Sequence, residues 1–141
     1  YICRWKNLFI FVTISMQFPD NFRYTTDHEW LRLEADGHAY VGITDFAQSE
    51  LGELVYVDIP TVGSELNAGD IFGTVEAVKT TSDLLLPVGG VIVEVNPELD
   101  AHPEYINQSP YDQGWIIKMR VSDPSEAEAL MDASAYSALV S

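Results

Sequence analysis

The chain has 141 residues, 47% of them hydrophobic, and 22 Asp and Glu against 7 Lys and Arg, giving a formal net charge of −15. That length suits one domain with its own core, and the apolar content excludes a disordered acidic tail. The negative charge argues against nucleic acid and anionic membrane as partners and favours proteins with basic docking patches, and the single Cys3 leaves no internal disulfide to close.

Residues 1–15, "YICRWKNLFIFVTIS", contrast with the rest of the chain. They hold two cations, an apolar run too short to span a bilayer, and no evident small-residue cleavage site. They are read as a foreign or disordered leader, with translation beginning naturally at Met16 and residues 16–141 forming a single domain. The segment "EWLRLEADGHAYVGIT" has two apolar-rich runs around Asp36-Gly37, a dipeptide suited to a tight hairpin turn. "TDFAQSELG" predicts a short helix capped by Thr44 or Asp45 and ended near Gly52. "ELVYVDIP" alternates Leu54, Tyr56 and Asp58 against Val55, Val57 and Ile59, then stops at Pro60.

"GDIFGTVEAV" is expected to set Phe72, Thr74, Glu76 and Val78 on one face and Ile71, Gly73, Val75 and Ala77 on the other. "GGVIVEVN" puts Val91, Val93 and Val95 together, and "GWIIKMRV" does the same for Trp115, Ile117, Met119 and Val121. In "SDPSEAEALM" Asp123 can cap, Pro124 suits the first helical position and Glu126 has capping-box spacing. Ser134 is expected to start a last short helix, with Glu126, Glu128 and Asp132 facing water. Strands this short and frequent favour an all-β sandwich or barrel with a few peripheral helices.

One residue breaks the charge pattern. From Leu33 to Ile117 the only Lys or Arg is Lys79, while the same span holds fifteen Asp and Glu. After "TVEAV" the apolar alternation stops at "KTTSD" and resumes at "LLLPV", so Lys79 sits at or beside a hairpin tip with its amine in solvent. On this local ground a modified lysine and an ordinary turn lysine are equally admissible.

The stretch "VEAVKTTSDLLLPVGGVIVEVN" resembles the lipoyl-attachment segment of the glycine cleavage system H proteins. "YTTDHEWLRLE", "VGITDFAQSELGELVYVDIPTVGSEL" and "NQSPYDQGWIIKMRV" resemble further segments of that family in the same order, covering nearly everything from Phe18 to the C-terminus. Two departures are visible. Ala77 stands where the family usually has Ser, which should weaken recognition by the lipoylating enzyme slightly, and Gly89-Gly90 replaces a commoner Ser-Gly or Ala-Gly. Biotin carriers usually have Met on both sides of the lysine, where this chain has Val78 and Thr80. Lipoyl domains of 2-oxoacid dehydrogenases show Asp-Lys-Ala and lack the "HEW" segment.

The resemblance implies a lipoyl/biotinyl-type β-sandwich (a barrel-sandwich hybrid) with a C-terminal helix, residues 16–141 being the carrier domain. It implies lipoate bound covalently to Lys79 and no turnover by the protein itself. The arm would take an aminomethyl group derived from glycine from the decarboxylase (P protein) to the aminomethyltransferase (T protein). The dithiol would then be reoxidised by dihydrolipoamide dehydrogenase (L protein). An H-like protein that mainly donates lipoate to other enzymes is the alternative, with the same lysine attached. By motif match, Asp27, His28, Glu29 and Asp83 would form a cleft for the loaded arm: His28 as wall, the carboxylates as partners for a cationic amine. Ser or Thr is commoner at the position of Asp27. The resemblance further implies a monomer, in the cytoplasm of a bacterium or the mitochondrion of a eukaryote.

Other conspicuous residues have plain readings. His28, His38 and His102 lack zinc-ligand spacing, so no metal is expected. Trp30, Trp115, Tyr56 and Tyr111 are expected to line the core or the cleft.

Overall fold

Short apolar runs punctuated by Gly, Pro and Asp become short antiparallel strands, and these pair into two sheets of unequal size. The computed structural model describes residues 18–140, so the leader expectation for 1–15 lies outside the described residues. In chain order the elements are β1 (Arg23–Tyr24), β2 (Glu29–Leu33), β3 (His38–Ile43), α1 (Asp45–Leu51), β4 (Leu54–Asp58), β5 (Glu65–Leu66), β6 (Ile71–Ala77) and β7 (Thr81–Leu85). Next come β8 (Gly90–Val95), a 3-10 turn (Pro97–Leu99), α2 (Tyr105–Gln108), β9 (Ile117–Val121), α3 (Ser125–Glu128) and α4 (Ala133–Val140). The larger sheet runs β1-β2-β3-β9-β8-β5 and the smaller β4-β6-β7.

Leu31, Val41, Ile92, Ile117 and Met119 of the larger sheet share a core with Leu54, Phe72, Val75 and Leu84 of the smaller. Each such side chain, fully buried, contributes about 1.5–3 kcal/mol. A second cluster is aromatic. Phe22, Tyr24, Trp30 and Tyr136 pack together with Phe18, Tyr111 and Trp115, and α4 closes over the start of the larger sheet. Trp30 donates its indole N–H to the Pro110 carbonyl at 2.9 Å, so its polar end is satisfied in the interior. The expected all-β sandwich with small peripheral helices is the fold observed.

Three strands depart from simple alternation, each at a register shift. In β4 the shift lies between Leu54 and Tyr56; Leu54 is buried while Tyr56 is 51% exposed. The expected face of Leu54, Tyr56 and Asp58 is therefore split, and Tyr56 lines neither core nor cleft. In β6 the shift lies between Ile71 and Gly73, so Phe72 turns inward with Val75 and Ala77, and Ile71 faces solvent. In β8 it lies between Ile92 and Glu94; Ile92, not the Val91-Val93-Val95 set, is the buried residue. An extra residue on one strand of a pair reverses the side-chain parity beyond it, and only the pairing reveals where it falls. In β9 Ile117, Met119 and Val121 do point inward. Trp115 precedes that strand and meets Tyr40 edge-on at 5.0 Å in the aromatic cluster.

The turns adhere to the sequence more closely. The β2–β3 hairpin closes through residues 34–37, with Gly37 at φ 90, a conformation that excludes most side chains. The Thr44 hydroxyl accepts the Ala47 N–H at 3.1 Å and caps α1, which ends at Gly52. Asp123 accepts from the Ser125 N–H, but Glu126 does not complete a capping box; its Oε1 accepts the Gly89 N–H at 3.0 Å and ties α3 to the turn before β8. For α4 the cap is Asp132, accepting from Ala135 N–H at 2.9 Å, rather than Ser134. Among the described residues, no helix is long and apolar enough to cross a membrane.

Candidate functional site

Lys79 stands at the tip of the β6–β7 hairpin. The Ala77 N–H donates to the Thr80 carbonyl at 2.7 Å, leaving Val78 and Lys79 as a two-residue turn. The tip is braced from one side, where the Val78 N–H donates to the Glu53 carbonyl at 3.0 Å. Lys79 is exposed, and its ammonium makes no hydrogen bond or ion pair with any described residue. Its stem lies across Gly52: a Cβ at that position would stand 3.4 Å from Lys79 Cε and 3.9 Å from Nζ. The helix terminus thus provides a shallow track without a side chain of its own.

Beside it is a cleft of about 250 Å³. Asp27 and His28 line it from the turn before β2, Glu29 from the start of β2, Phe46, Ala47, Glu50 and Leu51 from α1, and Ser82 and Asp83 from β7. The four residues singled out from the sequence are therefore brought together. Lys79 itself is not in the lining. It is joined to the cleft along two paths: Leu51, a lining residue, precedes Gly52, and Asp83 lies four residues along β7, roughly 13 Å at ~3.3 Å per residue.

Glu29 is the least ordinary of the four. It is 3% exposed, and both carboxylate oxygens are engaged: Thr25 Oγ1 donates to Oε1 at 3.0 Å and the Leu85 N–H donates to Oε2 at 3.2 Å. Thr25 Oγ1 in turn accepts the N–H groups of Asp27 and Glu29, which orients its single proton toward the carboxylate. Burial pushes the Glu29 carboxyl up to about 8, the two hydrogen bonds oppose this, and the Asp27 charge adds a smaller push upward. At neutral pH the cleft by itself therefore holds Glu29 mostly protonated. A cation arriving beside it would restore the charge. Asp27 and Asp83 remain exposed to solvent.

His28 adopts φ 71, the only positive φ outside glycine among the described residues. Its N–H donates to the Thr25 carbonyl at 3.1 Å, its carbonyl accepts the Thr44 N–H at 3.0 Å, and its ring rests against Phe46 with centroids 4.9 Å apart. Nδ1 lies 2.8 Å from the hydroxyl of Tyr136 on α4, and that hydroxyl lies 2.8 Å from Thr44 Oγ1. Sequence reasoning missed Phe46 and Tyr136. Phe46 lies within the short helix expected over "TDFAQSELG", where no local signal marks it as facing a cleft, and Tyr136 is 108 residues from the ring it meets. Among the described residues, no group of three or more His, Cys, Asp or Glu is arranged to hold a metal ion.

Comparison with known proteins gives a consistent outcome. The family model described as Glycine cleavage H-protein matches residues 22–141. A glycine cleavage system H protein of Bacteroides thetaiotaomicron is 58% identical over 125 residues, covering 89% of this chain and 98% of that protein. One from Chlorobium limicola is 55% identical over 126 residues, with the same coverage. Among solved structures, a glycine cleavage system H protein from Mycobacterium marinum superposes with a TM-score of 0.80 at 38% identity, over 87% of this chain and 98% of that one.

Proposed function

The chain belongs to the glycine cleavage H-protein family, and from that premise we propose that it carries lipoate as an amide on Lys79 Nζ and serves glycine cleavage as a carrier without turnover of its own. The observation that carries this reading is the Lys79 tip: exposed, unpaired among the described residues, and lying over a glycine. These residues fit the group, since an enzyme can wrap such a hairpin and the product amide meets no obstruction from Gly52. When bound, lipoate supplies a dithiolane able to accept a one-carbon unit with two electrons and to return both.

The residues of the chain do the rest by position. A lysine stem with a lipoyl chain reaches roughly 14 Å, about ten bonds at ~1.5 Å less some bending. That is comparable with the strand length from Lys79 to Asp83, so cargo at its end can enter the cleft. There Glu29, Asp27 and Asp83 would hold a cationic amine by charge-assisted hydrogen bonds, and Phe46 and Leu51 would limit water. The partners proposed are P protein, T protein, L protein and a lipoylating enzyme. The excess of acid over base suits encounter with basic faces on them. The relatives named above are bacterial, which supports a bacterial cytoplasmic setting, and the protein is read as a monomer of one carrier domain over residues 16–141.

Glycine–carbon dioxide exchange with P protein tests the reading. The lipoylated chain should support exchange, and Lys79→Arg should not. A lipoylated chain that fails to support exchange would instead favour donation of lipoate to other enzymes.

A further inference from the structure

Three buried or half-buried groups from distant parts of the chain meet at one hydroxyl. Tyr136 and Thr44 are both 0% exposed, and His28 stands between them and the cleft. Proton counting decides how the bonds run. Thr44 Oγ1 already accepts the Ala47 N–H, and the partner left for its own proton is the Tyr136 oxygen at 2.8 Å. Tyr136 then has His28 Nδ1, also at 2.8 Å, as acceptor for its proton. In the reverse arrangement Nδ1–H would donate to Tyr136, Tyr136 to Thr44, and the Thr44 proton would have no acceptor among the described residues. A buried donor left unsatisfied costs about 1–3 kcal/mol, which is enough to select the first arrangement. Burial also holds the Tyr136 hydroxyl protonated, pushing it up to about 12.

We propose that Tyr136 is a positioning residue: fixed by Thr44, its hydroxyl locks His28 in the Nε2–H tautomer, so that the cleft wall presents an N–H and no ring lone pair. The purpose rests on the carrier reading, but the tautomer does not depend on lipoate. Nδ1 is taken up by the Tyr136 hydroxyl, and His28 lines the cleft together with Asp27, Glu29 and Asp83, which assigns the Nε2 edge to the cleft. A bare ring nitrogen there would stand as a general base beside an ammonium cargo, and proton transfer to it as the cargo breaks down would loosen the charge-assisted hold of the carboxylates. With Nε2 already protonated, that transfer has no acceptor on the ring. The φ of 71 at His28 fits this account, because an unusual backbone conformation holds the ring where α4 can reach it.

Long-range proton–nitrogen correlation spectra of the full, unlipoylated chain, recorded where imidazole is neutral, read the tautomer directly. Native His28 should show protonated Nε2 alone, and Tyr136→Phe, which keeps the buried ring, should show a mixture. Protonated Nδ1 in the native protein would overturn the proposal whatever the variant does, and so would an unchanged spectrum in Tyr136→Phe. For the purpose, the lifetime of the loaded carrier should fall about ten-fold in Tyr136→Phe, at or below the low end of what a positioned base supplies. Adding His28→Asn to Tyr136→Phe should recover most of it. Failure to recover would remove the protective role, whereas absence of lipoate on Lys79 would remove the carrier reading and leave the tautomer result standing.

Discussion

The Lys79 tip and the His28–Glu29 cleft lie close together and are built on opposite principles. At the tip almost nothing constrains the side chain: a two-residue turn, one brace from Glu53, and a glycine beneath the stem. In the cleft Glu29 is held by Thr25 and Leu85, and His28 by Tyr136 and its own turn. On the proposed carrier reading, the contrast separates two tasks. A group that must visit several enzymes needs a free anchor, whereas a stop that shelters reactive cargo needs preorganised partners whose ordering cost is met on folding.

The sharpest way to break the contrast is Lys79→Arg. Lipoylation should vanish completely by intact mass, while thermal stability stays within about 0.5 kcal/mol, as expected for an exposed, unpaired side chain. A large loss of stability would mean the tip is structural after all. At the other pole, Glu29→Gln should leave lipoylation intact, shorten the lifetime of the loaded form and change the pH dependence of folding. Below the ordinary value of 4.5 the native carboxyl is protonated in both states; as pH rises through 4.5 toward about 8 the unfolded chain releases its proton while the folded one retains it. Native stability therefore declines across that window. Gln does not titrate, so stability of the variant relative to native should rise there, on the order of a few kcal/mol at most. Denaturant titrations at several pH values check the sign.

Smaller effects sharpen the boundary between the two regions. Gly52, at φ 83 and ψ −158, occupies a conformation nearly restricted to glycine. Gly52→Ala should cost about 1–3 kcal/mol in chemical denaturation, yet leave Lys79 a substrate for lipoylation. Ala77→Ser should have the least effect, a small rise in lipoylation rate with a loss of about 1 kcal/mol in stability, because the added hydroxyl enters a buried end of β6 next to the turn.

What the sequence disclosed obeys the same division. The lysine, its turn and the Thr44–Gly52 helix were legible because each is set by residues adjacent in the chain. The register shifts in β4, β6 and β8 were not, since the partner strand decides where the extra residue falls, and Tyr56 was misread as interior for that reason. Glu126 had two amides within reach, its own helix start and Gly89; local spacing favours the first and tertiary contact took the second. Asp27, His28, Glu29 and Asp83 were singled out by motif likeness, but the bond from Leu85 to Glu29 needs β7 in place and the link from His28 to Tyr136 exists only once α4 has docked.

The central claim is that Lys79 is the covalent anchor of the carrier. Peptide mass mapping of the protein purified from its natural host tests it most directly. The account predicts a lipoyl group on the peptide containing Lys79 and on no other lysine; a biotinyl group there, or an unmodified Lys79 in cells actively cleaving glycine, would contradict it.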